Sequence, residues 1–156
     1  VVARNAEMER YLSRLFEDRE IDKEYLALVA GIPQEKGTIE LKIAQASSHS
    51  NRMTISEFGK SAVTHYEVVE AFRDFALVKV KIETGRTHQI RVHMASQGYP
   101  LAVDELYGFR NCIKLSDLKE GYVAKKHRPE KPLISRLTLH ARKISVLLPE
   151  GSPFSV

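Results

Sequence analysis

Residues 83–94 read Glu83-Thr84-Gly85-Arg86-Thr87-His88-Gln89-Ile90-Arg91-Val92-His93-Met94, and they join a predicted strand to a predicted helix. Just upstream, over residues 75–82, apolar side chains alternate with a second set that includes two lysines. This alternation is the period-2 pattern of a half-buried strand. Gly85 then interrupts the strand, so the stretch predicts a strand, a turn and a helix in that order.

The helix is predicted to run from about His88 to Gln97. Thr84 or Thr87 can cap its beginning, because a threonine hydroxyl accepts from the free N–H groups of a first helical turn. Gly98 can end it, because glycine readily adopts the left-handed conformation that stops a helix.

Basic side chains crowd the beginning of this helix, namely Arg86, His88 and Arg91. A helix N-terminus already carries unpaired N–H groups and partial positive charge, so added cations cost stability. That cost favours a negatively charged partner such as phosphate. His88 and Arg91 are three residues apart on one stripe, and Arg91 is expected to face inward or into a cleft. The spacing alone fits a surface helix with solvated arginines equally well.

Further segments in this region share the order of a known family. Residues 84–93 are followed by Gly98-Tyr99-Pro100-Leu101 and by Asp104-Glu105-Leu106-Tyr107-Gly108. Together they closely resemble the RluA-type family of RNA pseudouridine synthases. Residues 1–5, 23–29, 59–66 and 136–141 also match the family in its order, so the resemblance covers nearly the whole chain.

The resemblance implies an α+β fold, a pseudouridine synthase-like catalytic domain with a mostly antiparallel mixed sheet and flanking helices. Family members carry a His-Arg-Leu-Asp segment with the catalytic aspartate just before the strand that here reads Val1-Val2-Ala3. No such segment occurs in the 156 residues. We therefore interpret residues 1–156 as a single partial domain, the C-terminal portion of the catalytic domain. Val103 stands where the family usually has glycine. Because valine resists positive φ, the turn here is expected to differ from the turn in the family.

The implied reaction is isomerisation of uridine to pseudouridine in ribosomal or transfer RNA, without cofactor or metal. The aspartate forms a covalent intermediate, and the uracil turns and rejoins through C5; attack on the sugar and attack on the base both remain open. The target base must first leave its stack. Without the aspartate, the 156 residues alone are expected to be inactive. The alternative is a non-catalytic RNA-binding module.

The family motifs imply roles for individual residues. Arg91 would pair with the catalytic aspartate and keep it ionised, while Tyr25 would lie against the uracil and could handle a proton. Ile90 or Leu139 would wall the pocket. The alternative for Tyr25 is a plain packed strand residue.

RNA contacts are expected from Arg52, Arg86, His88 and Gln89. Arg52 lies in the polar stretch 45–60, which is expected to be a loop, and a merely solvated loop is its alternative. The basic stretch 111–131 could follow an RNA backbone, although a surface loop without a partner fits it as well.

Periodicity predicts the remaining elements. Asn5 can cap a helix with an apolar face on residues 8–16. Strands are predicted over residues 23–30, 38–43, 62–68, 137–141 and 142–148, with a turn at residues 149–151.

Composition limits the function only broadly. The chain has 24 Lys and Arg against 20 Asp and Glu, a formal net charge of +4 and a pI near 9.2, which permits RNA binding. A single cysteine, Cys112, excludes an intrachain disulfide and gives no basis for a zinc site. No apolar run approaches the roughly 20 residues of a membrane span. We expect a cytoplasmic monomer that binds RNA, with no membrane and no metal.

Overall fold

The computed structural model describes residues 2–123 and 129–156 and contains a six-stranded sheet in the order β2-β5-β6-β1-β7-β8. Neighbouring strands are antiparallel, and β3 and β4 form a separate antiparallel pair. The predicted α+β class with a mostly antiparallel sheet is therefore confirmed. The elements are α1 (Ala6–Glu17), β1 (Asp22–Ala30), β2 (Lys36–Glu40), β3 (Ile43–Gln45), β4 (Met53–Ile55), β5 (Val63–Ala71), β6 (Phe75–Ile82), α2 (Gln89–Ser96), α3 (Leu115–Leu118), β7 (Leu139–Leu147) and β8 (Pro153–Ser155).

The main core lies between α2 and the sheet. Strand β6 has the predicted bounds, and its alternating residues Ala76, Val78 and Val80 are fully buried. They pack with Ile90 and Met94 of α2. The period-2 pattern of β6 thus places α2 directly over the centre of the sheet.

Helix α1 begins as predicted, because the Asn5 side chain accepts from the backbone N–H of Met8 at 2.8 Å. Of its predicted apolar face, Leu15 is buried whereas Phe16 is 44% exposed. The helix therefore packs only part of its apolar stripe against the described residues.

Two predictions between β2 and β5 are wrong. Residues 38–43 are not one strand, because β2 ends at Glu40 and Ile43 begins β3. The stretch 45–60 is not only a loop, since Met53–Ile55 forms β4 and pairs with β3. Ile43 leaves the main sheet because its side chain packs with Ala62 and Val92 in a second buried cluster.

The two strands predicted over residues 137–148 are one strand, β7. Opposite β1, the register passes from Lys143 to Ala141, so Arg142 is an extra residue in the ladder. Such a bulge interrupts the alternation of side chains without ending the strand, which explains the split prediction. The predicted turn at residues 149–151 is present and leads into β8.

Helix α2 begins differently from the prediction. Neither Thr84 nor Thr87 caps it; its N-cap is His88, which has a left-handed backbone (φ 54°) and no side-chain capping bond. The end agrees with the prediction, because Gly98 follows the helix with φ +84°. A non-glycine residue in the left-handed region is strained, and such strain concentrates at functional sites.

Val103 does not distort its turn. Its φ is not positive, its side chain is buried, and its backbone N–H donates to the Thr138 hydroxyl at 3.2 Å. Valine is thus accommodated at this position. Further along, α3 lies in the basic stretch 111–131, of which residues 124–128 are outside the described part. Within the described ranges, no helix is long and apolar enough to cross a membrane.

Candidate active site

The inner face of α2 is anchored by Gln89. Its Oε1 accepts from the Thr84 hydroxyl (2.8 Å) and from the backbone N–H of Arg86 (3.0 Å). Its Nε2 donates to the carbonyl of Val63 (2.8 Å) and to the hydroxyl of Thr64 (3.0 Å). These four bonds use the whole capacity of the amide, and Gln89 is buried. Gln89 therefore has a structural role in this fold, and its expected contact with RNA stays a prediction.

His93 continues this buried network one turn further along α2. Its Nε2 lies 3.2 Å from the carbonyl oxygen of Leu41, and its Nδ1 lies 2.9 Å from the Thr64 hydroxyl. Because a carbonyl can only accept, Nε2 carries the hydrogen, and a neutral ring then accepts at Nδ1 from Thr64. Burial lowers the pKa of His93, partly offset by the Leu41 bond. The inner face is thus uncharged and fully hydrogen-bonded.

The outer face of α2 carries Arg91, whose guanidinium binds Asp104 in a two-bond fork. Nε donates to Oδ2 at 2.8 Å, and Nη2 donates to Oδ1 at 2.7 Å. The Arg91 side chain is 14% exposed and that of Asp104 is 0% exposed. The fork uses two of the five N–H donors of the guanidinium. Among the described residues, no acceptor within hydrogen-bond distance lies at Nη1.

Asp104 is held as a carboxylate. Its Oδ1 also accepts from the backbone N–H groups of Leu106 (2.9 Å) and Tyr107 (3.2 Å). Burial alone would raise the pKa of Asp104, but the bonds from Arg91 and from these two N–H groups outweigh it and lower the pKa. The same bond raises the pKa of Arg91. The pair is therefore fully charged at neutral pH.

Tyr107 gathers the cationic side chains around its ring. The guanidinium carbons of Arg91 and Arg52 lie 5.0 and 5.4 Å from the ring centre, within the range of cation–π attraction. The His88 ring meets it edge-on at 5.7 Å. The Tyr107 hydroxyl accepts from the backbone N–H of Met53 at 2.7 Å and lies 3.1 Å from His88 Nδ1. We call Arg52, His88, Arg91, Asp104 and Tyr107 the charged cluster.

The structure thus brings together three of the predicted site residues, Arg52, His88 and Arg91. Desolvation, followed by the charge of Arg91, lowers the pKa of His88, although the Asp104 charge acts the other way. His88 is therefore mainly neutral at pH 7. Arg86 does not join the cluster: its Nε donates to the carbonyl of Ser61 at 3.1 Å.

The predicted pocket residues meet in the main core. Ile90 is buried there, and Tyr25 and Leu139 pack against the same cluster. Burial raises the pKa of Tyr25, so its phenol is neutral at physiological pH. The expected roles of Tyr25, Ile90 and Leu139 remain predictions, and packing is common to both alternatives for Tyr25.

Sequence reasoning assigned no role to Asp104 or Tyr107, which hold the cluster together. Both lie in the segment Asp104-Glu105-Leu106-Tyr107-Gly108 that supports the family resemblance. The sequence signal was a glycine closely following an aspartate and a tyrosine, which is typical of a compact turn. The structure confirms how tight that turn is, because a Cβ at Gly108 would lie 2.8 Å from the backbone oxygen of Asp104.

Comparison with known proteins identifies relatives of this chain. A family model described as RNA pseudouridylate synthase matches residues 1–96. A ribosomal large subunit pseudouridine synthase D of Haemophilus ducreyi is 40% identical over 110 residues, which are 70% of this chain and 34% of that protein. An uncharacterized RNA pseudouridine synthase of Bacillus subtilis is 43% identical over 114 residues, 72% of this chain and 38% of that protein.

A solved structure is similar over almost the whole chain. The human RNA pseudouridylate synthase domain containing 1 matches with a TM-score of 0.76 and 29% identity, covering 99% of this chain and 61% of that one. The chain spans about a third of the length of the two bacterial relatives.

Proposed function

This chain belongs to the RNA pseudouridylate synthase family, and we propose that it is the C-terminal portion of a catalytic domain that isomerises uridine to pseudouridine in RNA. Ribosomal RNA is the favoured substrate, because similar proteins are named for the ribosomal large subunit; transfer RNA is the second. The observation that carries the proposal is the Arg91 guanidinium, which is fixed on a buried carboxylate while its outer N–H groups have no acceptor among residues 2–123 and 129–156.

In this proposal, the free edge of Arg91 binds the catalytic aspartate of the family and keeps it ionised by charge and hydrogen bonds. Asp104 does not replace that aspartate, because a side chain with no exposed surface cannot reach a nucleotide. The 156 residues contain no His-Arg-Leu-Asp segment, so we propose that they bind RNA without turnover.

Tyr25 is proposed to lie against the uracil and to move a proton through its neutral hydroxyl. Ile90 and Leu139 would wall the pocket from the apolar cluster that they share with Tyr25. Arg52, His88 and Arg86 would contact RNA, with Arg52 the strongest of the three because it is exposed beside the Tyr107 ring.

One copy of the chain supplies every member of the charged cluster, so we propose that the enzyme acts as a monomer. A ribosomal RNA substrate would place it in the cytoplasm.

The test uses the full-length protein and RNA tritiated at C5 of uridine, since isomerisation moves the glycosidic bond to C5 and releases that hydrogen. The wild type should release tritium and Arg91→Lys should release it at least about 10-fold more slowly, because lysine restores the charge without the fork. Tyr25→Phe should still bind RNA but fail to release product. Binding of RNA by the wild type without any tritium release would favour the non-catalytic RNA-binding module.

A further inference from the structure

Asp104 is the buried member of the charged cluster, and its side chain accepts hydrogen bonds from two places. One is the Arg91 guanidinium, and the other is the backbone of its own turn at Leu106 and Tyr107. Because the side chain has no exposed surface, it touches neither RNA nor any reacting atom. Any effect of Asp104 on a reaction must therefore pass through Arg91 or through the turn that carries Tyr107.

The fork fixes where the guanidinium points. A single bond to a carboxylate leaves an arginine free to rotate, whereas two parallel bonds set both its plane and its direction. The Asp104 fork occupies the Nε side, so the Nη1 side and the second hydrogen of Nη2 face away from it. A long side chain with several free rotations is thus held in one orientation.

Tyr107 holds the same group from its face. Its ring centre lies 5.0 Å from the Arg91 guanidinium carbon, and its hydroxyl is tied to the backbone of β4 through Met53. The backbone N–H of Tyr107 bonds Asp104, so the turn that holds the carboxylate also carries the ring.

We infer that Asp104 is a positioning residue of this enzyme, which holds Arg91 side-on so that the free edge of the guanidinium meets the anionic group of the reaction. The inference rests on the proposed function, because it gives Arg91 a reaction to serve. It adds a residue that acts through Arg91 and is therefore not itself catalytic.

The first test is Asp104→Asn in the full-length protein. Asparagine keeps the size and the oxygen that accepts from Leu106 and Tyr107, but its neutral amide cannot hold the guanidinium in a charged fork. We expect kcat to fall by roughly 10- to 100-fold, because an arginine displaced by a fraction of an ångström loses its alignment. RNA affinity should stay within about 2-fold, since the buried side chain contributes no contact to RNA.

A double-mutant cycle separates positioning from general damage. Arg91→Lys has no fork for Asp104 to hold, so Arg91→Lys with Asp104→Asn should fall no more than about 3-fold below Arg91→Lys alone. Losses that multiply in the double variant would overturn the inference, and so would Asp104→Asn with wild-type kcat.

The matched control is Thr138→Val, which loosens the same loop from its other side. The Thr138 hydroxyl accepts from Val103 and donates to the carbonyl of Leu28, without touching Arg91. This variant should lose stability while its kcat stays within about 2-fold of the wild type. If it loses as much kcat as Asp104→Asn, then Asp104 merely stabilises the loop and the inference fails.

Two further measurements test the inference if Asp104→Asn does not fold. Asp104→Ser keeps a hydroxyl that can accept from the turn N–H groups, and it should show the same kcat loss. In the unmodified protein, hydrogen exchange at Arg91 Nε should be slow because that hydrogen is bonded to a buried carboxylate; exchange as fast as in a free arginine would overturn the inference. A wild-type protein that makes no pseudouridine would instead contradict the proposed function, whatever the exchange result.

Discussion

The two faces of α2 differ in charge and in how completely their hydrogen bonds are used. On the inner face, Gln89 and His93 are neutral and all their polar atoms are bonded to the sheet and neighbouring loops. On the outer face, Arg91 is charged, and within the described part of the chain its hydrogen bonds are all on the Nε side of the guanidinium. On one side of this eight-residue helix the polar atoms are thus all hydrogen-bonded, whereas on the other side donors remain available.

The difference indicates what each face does. A buried polar group that is fully bonded adds rigidity and specificity to a fold, whereas donors left free at the edge of a charged cluster are available to a partner. Both faces are basic or polar in sequence, so residue type does not distinguish them. The bonding partners do.

The largest expected effect comes from removing the Arg91 side chain from the outer face of α2. Arg91→Ala leaves Asp104 as an unpaired buried carboxylate, so the free energy of unfolding should fall by about 3–5 kcal/mol and activity by roughly 100-fold or more. Chemical denaturation of the full-length protein measures the first, and tritium release the second.

Adding Asp104→Asn to Arg91→Ala removes the stranded charge. The double variant should regain most of the stability and none of the activity, because the guanidinium is still missing. Recovery of activity together with stability would show that Arg91 has only a structural role. The outer face of α2 would then have the same function as the inner face.

The inner face is broken by Gln89→Leu. Leucine has a similar size but leaves Thr84, the Arg86 N–H and the Val63 carbonyl without their partner, so unfolding free energy should fall by about 2–3 kcal/mol. Gln97→Leu, at the exposed end of the same helix, is the control and should change it by less than about 0.5 kcal/mol. RNA affinity of the folded Gln89→Leu protein should match the wild type; a loss of affinity without loss of stability would support Gln89 as an RNA contact.

A smaller expected effect is that the two faces lose their contributions to folding stability at different pH values. Burial lowers the pKa of His93 in the folded state, so its contribution to stability is complete above the unfolded value of about 6.5 and is lost as pH falls below it. The pKa of Asp104 is also lowered, so its contribution is lost only below about pH 4, the unfolded range of an aspartate.

Melting temperatures of the wild type and His93→Gln, measured between about pH 7.5 and pH 5, test the His93 contribution, because the variant lacks the imidazole that titrates in this range. The stability difference between the two proteins should shrink as the pH falls. A difference that stays constant would mean that His93 is not held neutral by the fold.

The smallest expected effect concerns whether Arg52, which shares the Tyr107 ring with Arg91, contacts RNA. If Arg52 contacts a phosphate, Arg52→Ala should reduce the slope of log affinity against log salt by about 0.7 to 0.9. Arg14→Ala, on the exposed side of α1, is the control with the same change of charge. Equal slopes for the two variants would remove Arg52 from the RNA-binding surface.

The sequence by itself determined the elements whose signals are local. The alternation in β6 specified its bounds and its buried face, and Asn5 and Gly98 marked a helix start and a helix end. The motif from Thr84 to His93 pointed to the correct family. These features depend on residues two to four positions apart, and periodicity reads such distances directly.

Only the tertiary structure decided which of these polar side chains are open to a partner. Gln89 and Arg91 are two residues apart in one motif, yet Gln89 bonds Thr64, 25 residues upstream, and Arg91 bonds Asp104, 13 residues downstream. The pairing of Ile43 with β4 and the bulge at Arg142 likewise depend on neighbouring strands. A hydrogen bond between distant segments forms only after packing brings them within about 3 Å, and no local pattern encodes that approach.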